Sequence, residues 1–126
     1  MKRSWMGFVL LVLLLSGSLL VTRQMVRIHD PIGEDLREAA RCALEEDWDR
    51  ADAFFRKAED SWERWEHFRG CVADHNPVEE IDGDFEILKV FCHTRDRVAF
   101  AGGCRELARK VTAVGEAHQL VWWNLL

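Results

Sequence analysis

From residue 31 onward, apolar positions return every three or four residues, and no stretch alternates with period two. The spacing predicts a helix over about 31 to 46, with Ile32, Leu36, Ala39, Ala40 and Ala43 on one face. A second helix, about 48 to 75, carries Trp48, Ala51, Phe55, Ala58, Trp62, Trp65 and Val72, flanked by Phe54, Ser61 and Phe68. A third, about 78 to 93, shows Ile81, Phe85, Leu88 and Cys92, although Gly83 costs it about 1 kcal/mol relative to alanine. The fourth, about 96 to 123, lines up Val98, Ala101, Cys104, Ala108, Val111, Gly115, His118 and Trp122, continues to Leu125, and keeps Leu107, Val114 and Val121 beside that stripe. Helical stripes without strands imply an all-α fold: an antiparallel helical bundle of about four helices, made of two αα-hairpins.

Asp30 before Pro31 and Asn76 before Pro77 resemble helix starts, since each pairs a capping oxygen with a proline that needs no N–H partner. The acidic stretch "EEDWD" turns the chain near residue 47, and "HTRDR" turns it near 95. Both turns place Asp-Arg at the start of the next helix, a faint internal echo too short to prove a repeat, which shared helix-start chemistry explains better than duplication.

The first 28 residues differ. After Lys2 and Arg3 comes "WMGFVLLVLLLSGSLLVT", residues 5–22, free of charge and closed by Arg23 and Arg27. At about 1.5 Å per residue, such a helix spans roughly 27 Å, near the hydrocarbon thickness of a bilayer. A cleaved signal peptide opens in the same way, and "SGS" at 16–18 offers small residues for a peptidase. Leu19, Leu20 and Val21 carry the apolar run past that site and favour an uncleaved anchor. The expected division is an anchor and juxtamembrane segment at 1–28 followed by a helical domain at 29–126. Basic residues flank the run on both sides, so the charge bias is nearly balanced; a single pass with the domain on the extracytoplasmic side is the expected topology.

With four basic residues ahead of His29, the domain keeps 13 of the 17 Lys and Arg against all 22 Asp and Glu, a net of −9. Such a surface repels phosphate backbones, which excludes nucleic acid as the expected partner. Solubility and self-repulsion are its main consequences.

Candidate chemistry is sparse. His67, Cys71 and Asp74 share one side of the second helix, with His75 on its flank, so a metal- or redox-responsive face is conceivable. That side lies opposite the apolar stripe, and no Cys-x-x-Cys or His-x-x-x-His accompanies it, which makes a solvated face the preferred reading. The four cysteines do not meet across either hairpin: Cys104 faces about residue 86, leaving Cys92 about 9 Å away along the axis, beyond the reach of a disulfide. Free, mostly buried thiols at Cys92 and Cys104 are expected, with pairing across the bundle as the alternative. His118 falls on the apolar stripe as a core histidine. No catalytic set, phosphate loop, cofactor motif or small-molecule site stands out, so a non-enzymatic protein is expected.

Six tryptophans demand an account. Trp48, Trp62 and Trp65 fill inter-helix gaps, and Trp5 suits the membrane interface. If the first helix rises from the bilayer, the fourth descends, so "VWWNLL" at the C-terminus returns towards the membrane.

The stretches "EEDWDRADAFFRKAEDSWERW" and "DHNPVEEID", with the terminal "NLL", resemble the bacterial domain of unknown function 4363 family. Trp48, Trp62, Trp65, Asp74, His75 and Asn124 correspond to its pattern, whereas Pro77 and Gly83 depart from it. The resemblance implies a small membrane-anchored helical protein without an assigned activity. The resulting expectation is a membrane-anchored interaction or scaffold module for a membrane or envelope partner. The alternative is a metal- or redox-responsive sensor built on His67, Cys71 and Asp74.

Overall fold

The computed structural model describes residues 2–66 and 75–123. They form four helices: α1 (Lys2–Leu44), α2 (Trp48–Arg64), α3 (His75–Thr94) and α4 (Arg97–Trp123). No strand occurs among the described residues. The helices run alternately up and down, with α1 packed between α2 and α4 and α3 packed mainly on α4. The all-α antiparallel bundle follows from the periodicity.

Three boundaries differ from the sequence expectation. No helix begins at Pro31, because α1 passes through it unbroken. An interior proline removes one backbone hydrogen bond and crowds the carbonyl four residues back, costing about 3 kcal/mol. Pro31 and Arg27, whose carbonyl the ring crowds, both belong to the exposed side of α1, while the neighbouring His29 and Ile32 are buried in the bundle. The second helix does not continue to 75 but closes at Arg64, where the Trp65 N–H turns to Trp62 O at 3.3 Å and breaks the i to i−4 ladder. Trp65 is the half-exposed cap rather than a core residue. The third helix already includes His75, ahead of the expected start at about 78, and Pro77 lies within it on an exposed position.

The echo between the two hairpins has a structural basis. In the first turn the Asp47 N–H reaches Cys42 O at 2.9 Å and the Glu46 N–H reaches Ala43 O at 3.0 Å. In the second, the Asp96 N–H reaches Phe91 O at 3.0 Å and the Arg95 N–H reaches Cys92 O at 3.2 Å. Glu46 (φ 62°) and Arg95 (φ 55°) take the left-handed conformation that closes such helix ends. Asp47 Oδ1 then accepts from the Arg50 N–H at 3.3 Å, and Asp96 Oδ1 from the Ala99 N–H at 3.1 Å. Each aspartate ends one motif and caps the next helix. Arg97 reaches across to Glu46 at 3.6 Å and ties the two turns together at one end of the bundle.

The core follows the stripes closely. Ile32, Leu36, Ala39, Ala40 and Ala43 are fully buried, as are Ala51, Ala58, Ala108 and Val111, with Phe55, Trp62, Ile81, Phe85, Leu88 and Ala101 nearly so. Val98, expected on the α4 stripe, is 74% exposed, and Phe100 takes the core position instead. Capping by Asp96 sets the rotation of the first turn of α4, bringing Phe100 to 5.7 Å from the Trp48 ring and 5.6 Å from that of Phe55. His118 and the residues after it on that stripe have no described side-chain environment, and Val72 lies outside the described residues.

The seams are closed in different ways. Lys57 pairs with the nearly buried Asp35 at 3.4 Å between α2 and α1. Lys110 reaches Asp84 at 2.7 Å and Glu80 at 2.8 Å between α4 and α3. Between α1 and α4, small residues let the backbones approach. A Cβ on Gly33 would lie 3.2 Å from Thr112 Oγ1, and one on Gly115 would lie 3.2 Å from His29 Cβ.

Candidate functional site

Two features stand apart from the packed core: the apolar first half of α1 and the open seam between α2 and α3. In α1, Ser4–Val21 is long and apolar enough to cross a membrane, with none of it buried against the rest of the chain. Length and composition of this kind suit a membrane anchor or a signal sequence. Trp5, Phe8, Leu13, Leu14 and Leu20 are each more than 60% exposed, a surface that water does not tolerate over such a length. Among the described side chains the first buried one is His29, eight positions past Val21 on the same helix.

The α2–α3 seam is an open groove in two parts. The part towards the turns encloses about 760 Å³ and is lined by Trp48, Asp52, Phe55, Glu59, Lys89 and Cys92, among others. The other, about 400 Å³, lies over Trp62 and Phe85 and is walled by Glu59, Glu63, Glu66, Asp82 and Glu86. Lys89, held by Glu59 and by Glu86 at 2.8 Å, bridges the groove. The same carboxylates raise the Lys89 pKa above the ordinary lysine range, so the bridge is charged at neutral pH. Trp62 donates its Nε1–H to Asp82 Oδ1 at 2.6 Å, a second tie across the seam.

Cys92 opens into this groove, where its thiol donates to Asp52 Oδ1 at 3.7 Å. Burial, then the Asp52 charge, pushes its pKa up. Such a thiol stays protonated at neutral pH, the opposite of an activated nucleophile. Burial pushes the Cys104 thiol up to about 12. Cys42, Cys92 and Cys104 are free, as the hairpin geometry anticipates for Cys92 and Cys104, and Cys42 is also buried.

The sequence singles out His67, Cys71 and Asp74; all three lie outside the described residues, so the sensor face has no geometry to report. Among the described residues, no group of three or more His, Cys, Asp or Glu side chains is placed to hold a metal ion. The α2–α3 groove itself was missed by sequence reasoning. Its only signal was the dense acidic content of "EDSWERWE" beside the Trp stripe, which any solvated helix face shares.

Fold and surface together define a class: an antiparallel helical bundle mounted on an N-terminal helix whose first half is apolar and exposed. The chain belongs to the domain of unknown function family DUF4363, whose pattern it matches over residues 19–125. That match takes in the whole bundle and the last apolar turn of α1 before it. No curated protein and no solved structure matches the chain.

Proposed function

We propose that this protein is a membrane-anchored, non-enzymatic interaction module: Ser4–Val21 crosses the bilayer once, and α1 carries the bundle as a post on the extracytoplasmic side. The observation that carries this reading is the continuity of α1, which joins a wholly exposed apolar span to a fully packed core without a linker. From Val21 to Leu44 the post rises about 35 Å, which sets the two tight turns far from the membrane and the base of the bundle close to it. The partner is a membrane or envelope protein, held by the acidic outer surface of the bundle. Acidic walls along the α2–α3 groove and the net charge of the domain favour a partner surface rich in Lys and Arg.

The test is fractionation followed by crosslinking. The full chain should stay with membranes through alkaline carbonate, and external protease should remove the bundle from intact spheroplasts. A short-range crosslinker in native membranes should then join the bundle to a defined partner at fixed stoichiometry. Release into the carbonate supernatant, or protection of the bundle from protease, would overturn the anchored topology.

A further inference from the structure

The walls of the α2–α3 groove carry more negative charge than the bundle uses. Arg56 holds Asp52 at 2.8 Å, Lys89 holds Glu59 and Glu86, and the Trp62 N–H holds Asp82. Asp49 and Asp60 line the part towards the turns and Glu63 the part over Trp62. These three are exposed, and among the described residues they form no ion pair. Residues three or four apart on a helix stand about 5–6 Å from one another, so the α2 wall offers a carboxylate at nearly every turn. From Asp49 to Glu63 it extends about 21 Å, enough for nearly four turns of a helix laid beside it.

The floor and the opposite wall suit a close visitor. Phe55, Trp62 and Phe85 pave the floor, with the Phe85 ring 5.8 Å from that of Phe55 and 6.3 Å from that of Trp62. On the α3 side the wall drops at Gly83, which is exposed, and a Cβ built there would meet nothing within 4 Å. No contact inside the chain requires glycine at that position, and helix propensity opposes it. Its bare backbone lets another backbone come near.

Charge decides the occupant. A second copy of the chain brings another domain of net −9 against this wall, and like charge repels it. A helix with Lys or Arg at every third or fourth position instead presents a cation to each turn of the wall.

We infer that the α2–α3 groove is the docking site for a Lys- or Arg-rich helix of the partner protein, laid along α2 between Asp49 and Glu63 and passing Gly83 on the facing wall. This rests on the reading of the bundle as an interaction module and gives its partner a place and a shape.

The experiment uses the full chain in phosphatidylcholine nanodiscs and two fluorescent probes: an alanine-based helical peptide of about 18 residues with Lys along one face, and its counterpart with Glu. Anisotropy should show binding of the Lys peptide, weakened by salt, and none of the Glu peptide. Asp60→Lys/Glu63→Lys should weaken that binding about tenfold, with Asp60→Asn/Glu63→Gln as a milder step and circular dichroism confirming equal helix content. Glu34→Lys/Glu116→Lys makes the same change of net charge at exposed positions of α1 and α4 outside the groove, and should alter binding less than about twofold. Equal losses in the two lysine variants would mean that net charge alone is at work and would overturn the site. In native membranes, a photocrosslinker placed at Asp60 or Gly83 should then join the chain to a Lys- or Arg-rich helix of one partner. Adducts only from Glu34 or Glu116, or adducts to a neutral segment, an acidic segment or a second copy, would sink the inference and leave the interaction module standing. No adduct from any of the four positions would bring down the module reading itself.

Discussion

Trp62 of α2 donates its indole N–H to Asp82 of α3 at 2.6 Å, across the open groove between these two helices. The ring is buried and the carboxylate exposed, so the bond anchors a core side chain from its rim. Asp82→Ala should destabilise the full chain by about 1–3 kcal/mol, because it withdraws a charged acceptor from a buried donor. Asp82→Asn keeps an acceptor and should recover much of the loss. Thermal denaturation in detergent followed by circular dichroism reads both, and equal midpoints for Asp82→Ala and wild type would contradict this role.

Close approach of α1 and α4 makes opposite predictions for two glycines. Gly33→Leu must push a side chain into Thr112 and the Ala108 carbonyl, and overpacking of that kind should cost about 1–3 kcal/mol. Gly102 meets nothing within 4 Å, so Gly102→Ala should stabilise α4 by about 1 kcal/mol through helix propensity alone. Chemical denaturation of the two variants side by side tests the pair.

Pro31 offers a direct test of helix continuity. In the interior of α1 it forfeits one backbone bond, so Pro31→Ala should raise stability by about 1–3 kcal/mol. Had a helix begun at Pro31, as the sequence alone suggests, the same substitution would be neutral or slightly harmful. The sign of the change in melting temperature separates the two.

Alkaline pH should unfold the bundle with a definite slope. The Cys104 thiol is held protonated up to about 12 by burial and by the nearby Cys92, against an ordinary value of 9.0. Between those values the unfolded chain releases a proton that the folded chain keeps. Stability is therefore fully present below pH 9.0 and falls by about 1.4 kcal/mol per pH unit above it. Lys110, raised by its bonds to Asp84 and Glu80, and Lys89, raised by Glu59 and Glu86, act with the same sign, because their ion pairs are lost as pH rises through the raised values. Cys104→Ala should flatten the fall in denaturation midpoint over this range, and an unchanged slope would exclude the thiol as its source.

Helical class, the two turns and nearly every buried position were legible in the sequence, because a stripe of apolar residues has one way to leave water and an Asp after a helix end has one good use. Ile32, Leu36, Phe55, Trp62, Phe85 and Val111 needed only their spacing to be placed inside. Family membership was carried by short motifs for the same reason: they mark turns and packing faces.

Other features depend on which helix lies beside which. Proline at 31 spells a helix start in isolation, and only packing of His29 and Ile32 on both sides of it lets α1 run through. Phe100 displaces Val98 from the core because the Asp96 cap turns the helix start towards Trp48 and Phe55. The open α2–α3 groove and the level at which Gly115 meets His29 come from the registers of helix pairs. Periodicity reports which face of each helix is buried, whereas register is set by the side chains that meet across a seam, and those belong to residues far apart in the chain.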